Sequence, residues 1–397
     1  MLAGPAAPAS WWARLRRGGR ASVGVVGAAF CAALLALTCG VPSVFAGPGF
    51  AEVVWKVPGA GLPALAWKPM RTARVVASHD GTTIFAAGAK GLRALRADTG
   101  ALLWTAATAD PIASTPLVGP KLVYVVDVNG ALQALGVRNG VPAFETPQQL
   151  NAAVRAPLAG DVERLYAVTE PGNLLAIDRR SGKVLWRRAS SPARDFLAEG
   201  TSSPLVVGDQ VVAGLADGTL VVVHGRDGGL IWSRDLSGSG EGQPDVDTTP
   251  VVVGAGPAAL VLAASQRGGM HALELDNGEQ RWHLPGEGFR TPLIRGPTAI
   301  ALRGDHHLVA LRWTDGVVQR SRKIEGEPSG DLALCDRGLL VPAGDGLWLL
   351  DADSLHARGR IVDPYGFAAA PLVAGDAAWL VGNDGSVYAL RLHTPRP

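Results

Sequence analysis

Apolar residues in this chain gather in short runs separated by turn residues, and no stretch carries the 3.6-residue stripe of an amphipathic helix. One run recurs: a Gly, then an apolar strand ending in Ala-Leu or a close relative. It appears at Gly91–Leu95, Gly130–Leu135, Gly172–Ile177, Gly218–Val223 and Gly269–Leu273, and again at His307–Leu311, Gly346–Leu350 and Gly385–Leu390. These eight copies lie roughly 40–50 residues apart, a period that marks repeat architecture.

Two further elements share the period. A turn follows most copies, with a Trp four residues after its Gly: Gly100 to Trp104, Gly182 to Trp186, Gly228 to Trp232 and Gly278 to Trp282. The turns Asp98-Thr99-Gly100, Arg180-Ser181-Gly182, Asp227-Gly228 and Asn277-Gly278 are hairpin sequences, in which Gly supplies positive φ. A Pro opens most units ahead of an apolar strand, at 116, 157, 204, 250, 292 and 371. The units therefore begin near residues 73, 116, 157, 204, 250, 292, 332 and 371. Each holds three or four short strands, as in Leu205–Val207, Val211–Leu215, Leu220–Val223 and Leu230–Trp232. Such a unit is a propeller blade, and the expected fold is an all-β, eight-bladed β-propeller.

The last unit stops after Leu392 with three strands, while Val53–Val57 reads as a Trp-bearing fourth strand without its turn. Pairing the two closes the ring and removes the unpaired edges that an open ring would leave. The Trp recurring in the same strand of each blade is expected to pack between neighbouring blades. The units at 116, 292 and 332 lack it, and Phe144 stands in for it in the first of these.

Composition supports this reading and sharpens the cellular context. The 51 Gly and 28 Pro carry no Gly-X-Y period, so collagen is excluded and many tight turns are implied. Residues 1–46 hold four arginines and no acid, followed by an apolar run from about Ala21 to Thr38 and by Val44-Phe45-Ala46, a small-x-small cleavage pattern. This segment reads as an export signal ahead of a single propeller domain at 47–397. A retained anchor and lipidation at Cys39 are the alternatives, with Leu37-Thr38 a poor lead-in to a lipid-modified Cys. The remainder has 33 basic against 35 acidic side chains, a formal charge of −2, and so lacks the footprint of a nucleic-acid binder.

Candidate chemistry is sparse. Cys335 is the one cysteine beyond the leader, which leaves no internal disulfide and no Cys-based metal site. His306 and His307 are adjacent and, on a strand, would point to opposite faces; the pair reads as part of a solvated turn. Gly238–Gly242 reads as an inter-blade loop rather than a phosphate cradle. No catalytic, metal or cofactor residues are assigned.

The turn-plus-Trp pattern, best seen in Ala176–Trp186, resembles the repeat of the pyrroloquinoline-quinone (PQQ) propellers, and it covers nearly the whole chain after the leader. That group contains dehydrogenases and non-enzymatic scaffolds. The dehydrogenases carry a neighbouring-cysteine disulfide and a calcium site that this sequence does not match. Gly200-Thr-Ser-Ser-Pro204 opening one blade and Asp245-Val-Asp-Thr-Thr-Pro250 opening the next resemble the BamB family. The resemblance implies a non-catalytic scaffold at the periplasmic face of the outer membrane. It would bind the POTRA region of a BamA-like barrel protein and assist unfolded outer-membrane proteins. The resemblance places the contact surface on two inter-blade loops, at Phe196, Ala198 and Glu199 and at Asp245 and Asp247. Where the family has Leu-x-Leu-Arg, this chain has Phe196-Leu-Ala-Glu199, a reversal of charge. Read from the residues alone, Asp245 and Asp247 form either a paired acidic patch or local turn chemistry capping backbone amides. A PQQ-binding dehydrogenase and a generic ligand- or protein-binding propeller are the alternative readings.

Overall fold

The structure, a computed structural model, describes residues 50–59, 73–170, 172–190, 202–238, 245–367 and 369–393. The leader segment with Cys39, and Phe196, Ala198 and Glu199, lie outside these. Among the described residues no helix is long and apolar enough to cross a membrane.

The chain folds into eight four-stranded antiparallel sheets arranged as an eight-bladed β-propeller. Blade four is representative: Leu205–Val207, Gln210–Gly214, Thr219–His224 and Leu230–Asp235 pair in order from the channel outward. The two middle strands of each blade are almost wholly buried because they are covered on both faces by neighbouring blades, so they read as continuous apolar runs. Ring closure follows the sequence expectation. Ala51–Val57 adds to Val387–Leu392 as the fourth strand of blade eight, with Val53 opposite Leu390 and Trp55 opposite Ala389.

The indole ring is what joins one blade to the next. Trp104 of blade one lies on Gly140 of the blade-two hairpin, where an added Cβ would sit 2.5 Å from the ring. Its Nε1 donates to the Val137 carbonyl at 3.2 Å. The same two contacts recur for Trp55 with Gly100 and Ala97, Trp186 with Gly228 and Gly225, Trp232 with Gly278 and Leu275, and Trp282 with Gly316 and Trp313. Phe144 packs on Gly182 in the same way, as its sequence position predicted. The repeated Gly thus serves twice: its positive φ closes the hairpin, and its bare face admits the aromatic ring. A one-residue bulge just before each Trp, as between Ala94 and Leu95, turns the ring into the seam.

Two seams depart from this rule. In blade six the Trp position, opposite Ala310, is Arg320. In blade seven the hairpin Gly position is Leu355, whose N–H bonds the Asp351 carbonyl as Gly100 bonds Arg96. Leu355 holds φ at 60° and is fully buried. Its side chain therefore fills from one side the space that an indole fills from the other. Between blades seven and eight the Trp position is Gly359, and the seam is packed instead by Phe50, Phe367 and Tyr388, the last two edge-to-face at 5.4 Å. An ion pair between Arg74 of blade one and Asp331 of blade seven bridges past blade eight, adding a second clasp at the point of closure.

Leu355→Gly is expected to lower stability by about 2–4 kcal/mol from the cavity it opens, offset by about 1 kcal/mol of relieved left-handed strain. Adding Arg320→Trp to that variant rebuilds the standard seam and is expected to recover the loss, whereas Arg320→Trp alone clashes with Leu355 and destabilises. Denaturant midpoints of the three variants check this.

Candidate functional site

The connection from blade four to blade five is anchored tightly at both ends. Leu236 is buried, donates to the Gly218 carbonyl at 2.8 Å and accepts from Ser265 Oγ at 2.5 Å. After residues 239–244, the chain is described again from Asp245. The Asp245 carbonyl accepts from Gln266 N at 3.0 Å, and Val246 N donates to the Leu215 carbonyl at 3.2 Å. Val246 is buried against Gly214, where any Cβ would collide with it. Thr248 Oγ1 then bonds both the carbonyl and the N–H of Ala264, at 2.9 Å each.

The two motifs singled out in the sequence meet here. Ser202 Oγ donates to the Thr248 carbonyl at 2.8 Å and accepts from Gly214 N at 3.2 Å. Ser203 Oγ reaches back to the Pro157 carbonyl, and Thr249 N reaches forward to Thr291 Oγ1. The Ser-Ser-Pro and Thr-Thr-Pro segments are therefore the hydroxyl pegs that fix blades three to six around the channel.

The two aspartates are placed differently. Asp245 is 3 % exposed, whereas Asp247 is half-buried and lines the mouth of the central channel with Thr248 and Thr249. The pair does not form one exposed acidic face. They precede the strand Val251–Val253 instead of lying on it, so strand alternation does not govern them. The channel has a volume of about 1210 Å³. Arg155 and Arg290 line it beside Asp247, and Arg155 pairs with Glu170 at 2.5 Å.

Sequence reasoning missed a histidine pair at this seam. His271 and His283 sit opposite each other on adjacent strands of blade five, with rings stacked at 4.4 Å. Both Nε2 atoms face the Gly268 carbonyl, at 3.0 and 2.6 Å. Their signal in the sequence was register: equal spacing about the Asn277-Gly278 hairpin, allowing for the bulge. His306 is a turn residue at φ 65°, and His307 opens the strand His307–Arg312. Among the described residues no group of three His, Cys, Asp or Glu is arranged to hold a metal. Cys335 is buried, and its thiol is pushed up by that burial.

The sequence model described as "Outer membrane protein assembly factor BamB" matches residues 51–189 and 147–322, well over half of the chain. This chain belongs to the BamB family. A BamB of Yersinia pestis is 26% identical over 327 residues, 78% of this chain and 82% of that protein. A BamB of Shewanella oneidensis is 28% identical over 159 residues, 38% of this chain and 40% of that one. The crystal structure of Moraxella catarrhalis BamB superposes with a TM-score of 0.73 at 17% identity, over 86% of this chain and all of that one. A quinohemoprotein alcohol dehydrogenase of Pseudomonas putida HK5 matches at 0.65 and 12% identity, over 88% and 77%. At such identities these structures speak for the propeller alone. Membership of the BamB family gives the Gly200–Pro204 and Asp245–Pro250 motifs a family context.

Burial holds the His271 imidazole below its ordinary pKa, and the charge of His283 lowers it further. The unfolded chain therefore takes up a proton near pH 6.5 that the folded blade resists. Stability is complete above that pH and is lost as pH falls through it. His271→Gln is expected to flatten the fall in melting temperature between pH 7.5 and 5.5.

Proposed function

We propose that this protein is a non-catalytic scaffold in the assembly of outer-membrane β-barrel proteins, exported and acting at the periplasmic side of the outer membrane. The observation that carries this is the family match across the propeller, which includes the blade-four and blade-five motifs. The partner that fits is a BamA-like barrel protein offering POTRA domains, with unfolded outer-membrane proteins as clients. Docking makes and breaks no bond, so the site needs a rigid platform and a few presented side chains.

Ser202, which follows the first candidate loop, and Thr248, which follows Asp245 and Asp247, are tied together at one seam by the hydroxyl network. Such a frame ties the chain just after the first candidate loop to the segment that carries Asp245 and Asp247. Within the described part of this surface Asp247 is the accessible acid, and it takes the contact role. Asp245 is a buried anchor whose carbonyl holds the Gln266 turn. Phe196, Ala198 and Glu199 complete the proposed contact. Glu199 faces a cation on the partner, in place of the acid that the family's Arg would meet.

Binding of purified POTRA domains by calorimetry tests the reading. Asp247→Arg is expected to weaken binding about tenfold or more, and Glu199→Arg comparably, while Lys183→Glu on the rim of blade three leaves it unchanged. Equal affinity for all four proteins, or no binding by the folded parent, overturns it. In the latter case a visible absorbance spectrum with added quinone would decide for the dehydrogenase reading.

A further inference from the structure

We infer that the outer edge of blade six is a second docking surface, which takes an acidic, extended segment of a partner protein as an added strand. The edge strand Val318–Lys323 reads Val-Gln-Arg-Ser-Arg-Lys, with five of its six residues exposed. Among the described residues no hydrogen bond or ion pair engages the side chains of Arg320, Arg322 or Lys323. The chain outside its leader has a small net negative charge. Three cations on one strand, of which Arg320 feels the nearby Asp353 carboxylate, are a local departure from the body as a whole.

Register places the arginines together. Arg320 lies opposite Ala310 and Arg322 opposite Leu308, and directly opposed residues share a face. Leu308 and Ala310 belong to the cluster packed against blade seven. Both guanidinium groups thus border the seam from which the indole is missing. The seam keeps a cavity of about 160 Å³, lined by Arg320 and by Arg295 with its partner Asp353. At most other seams an aromatic ring occupies this position. Here a polar cavity lined by two arginines and one aspartate opens beside an unpaired strand edge.

Charged residues on edge strands commonly serve to block aggregation. Most other outer strands carry charge as well, but most of their arginines are engaged: Arg187 bonds the Leu150 carbonyl, Arg234 the Gly278 carbonyl, and Arg358 and Arg360 pair with Asp351 and Asp345. Leu102–Ala106 of blade one has no charged residue and leaves Leu102 and Leu103 exposed, and on blade five Arg281 is balanced by Glu274 at 3.1 Å. The charge complementarity of blade six instead fits a strand with acids at alternate positions. Its backbone would pair with the free edge, and its carboxylates would meet Arg320 and Arg322 on one face. A carboxylate side chain is small enough for the seam cavity.

The test uses the full propeller and a fluorescent peptide alternating Glu and Thr, with a Lys–Thr peptide as the control. Fluorescence anisotropy should show binding of the acidic peptide only. Hydrogen exchange at residues 318–323 should slow when it binds. Arg322→Ser, which leaves the cavity intact, should weaken binding severalfold, and Arg320→Ser with Arg322→Ser about tenfold or more. Arg226→Ser on blade four should have no effect. Melting temperatures establish that each variant is folded. The proposal is overturned if the folded double variant binds as the parent does, if residues 318–323 gain no protection, or if the parent binds neither peptide. It is also overturned if inorganic phosphate alone reproduces the protection, which would make the seam an anion pocket rather than a strand-docking edge.

Discussion

The contact on which the ring depends is an indole laid on a bare glycine of the next blade. A propeller blade is a small twisted sheet with two apolar faces and cannot be stable by itself. What holds two blades in a fixed rotation is therefore a contact near the rim, where the sheets diverge most. Here the same pair of interactions serves five times. The ring buries apolar surface over a hairpin glycine, and its N–H satisfies a carbonyl of that hairpin. Because one residue does both, the contact is directional as well as hydrophobic, and the angle between blades is set with it. Trp232 is only 7 % exposed, which puts truncations of this kind among the costly ones.

The same logic explains what sequence reading reached and what it did not. The blades were legible because turn chemistry is local: Asp98-Thr99-Gly100 dictates its hairpin without reference to anything distant. The closing strand was legible because a lone Val-Val-Trp-Lys-Val has no partner nearby and the last blade lacks a fourth strand. The exchange at the blade-six seam was not legible as an exchange. Arg320 and Leu355 each look like a lapse from the repeat, and only their meeting across the seam shows that one compensates for the other. The histidine pair escaped for a related reason, because contact across a bulged hairpin depends on a register shift that composition does not reveal.

The candidate site shows the limit more sharply. The Asp245–Pro250 motif stands out from the repeat, and its aspartates read from sequence either as a paired acidic patch or as local turn chemistry. The structure puts them ahead of the strand, with Val246 driven into Gly214 and Asp245 buried with it. Much of what makes the motif distinctive is thus architectural: Thr248 and Ser202 use their hydroxyls to peg neighbouring blades. A motif of this kind combines two things, the frame it builds and the half-buried acid it presents at the channel, and sequence alone does not separate them.

This division also accounts for the pattern of likeness to other proteins. A propeller needs its glycines, its rim aromatics and apolar middle strands, and it tolerates nearly any apolar choice elsewhere. A TM-score of 0.73 therefore coexists with 17% identity, and a quinohemoprotein alcohol dehydrogenase shares the ring at 12% identity. Function on such a scaffold must be read from departures from the repeat, because the repeat itself is spoken for by packing. Apart from the aromatic repacking between blades seven and eight, the departures in this chain gather in two places. One is the blade-four to blade-five connection, where hydroxyl pegs replace plain apolar packing. The other is the outer edge of blade six, where an arginine stands in the place of an indole and the ring accepts a leucine in left-handed backbone to keep the seam filled. A substitution that costs a structural contact and is repaired at the expense of backbone strain is poorly explained by packing, and that imbalance is the physical reason to look for a partner at that edge.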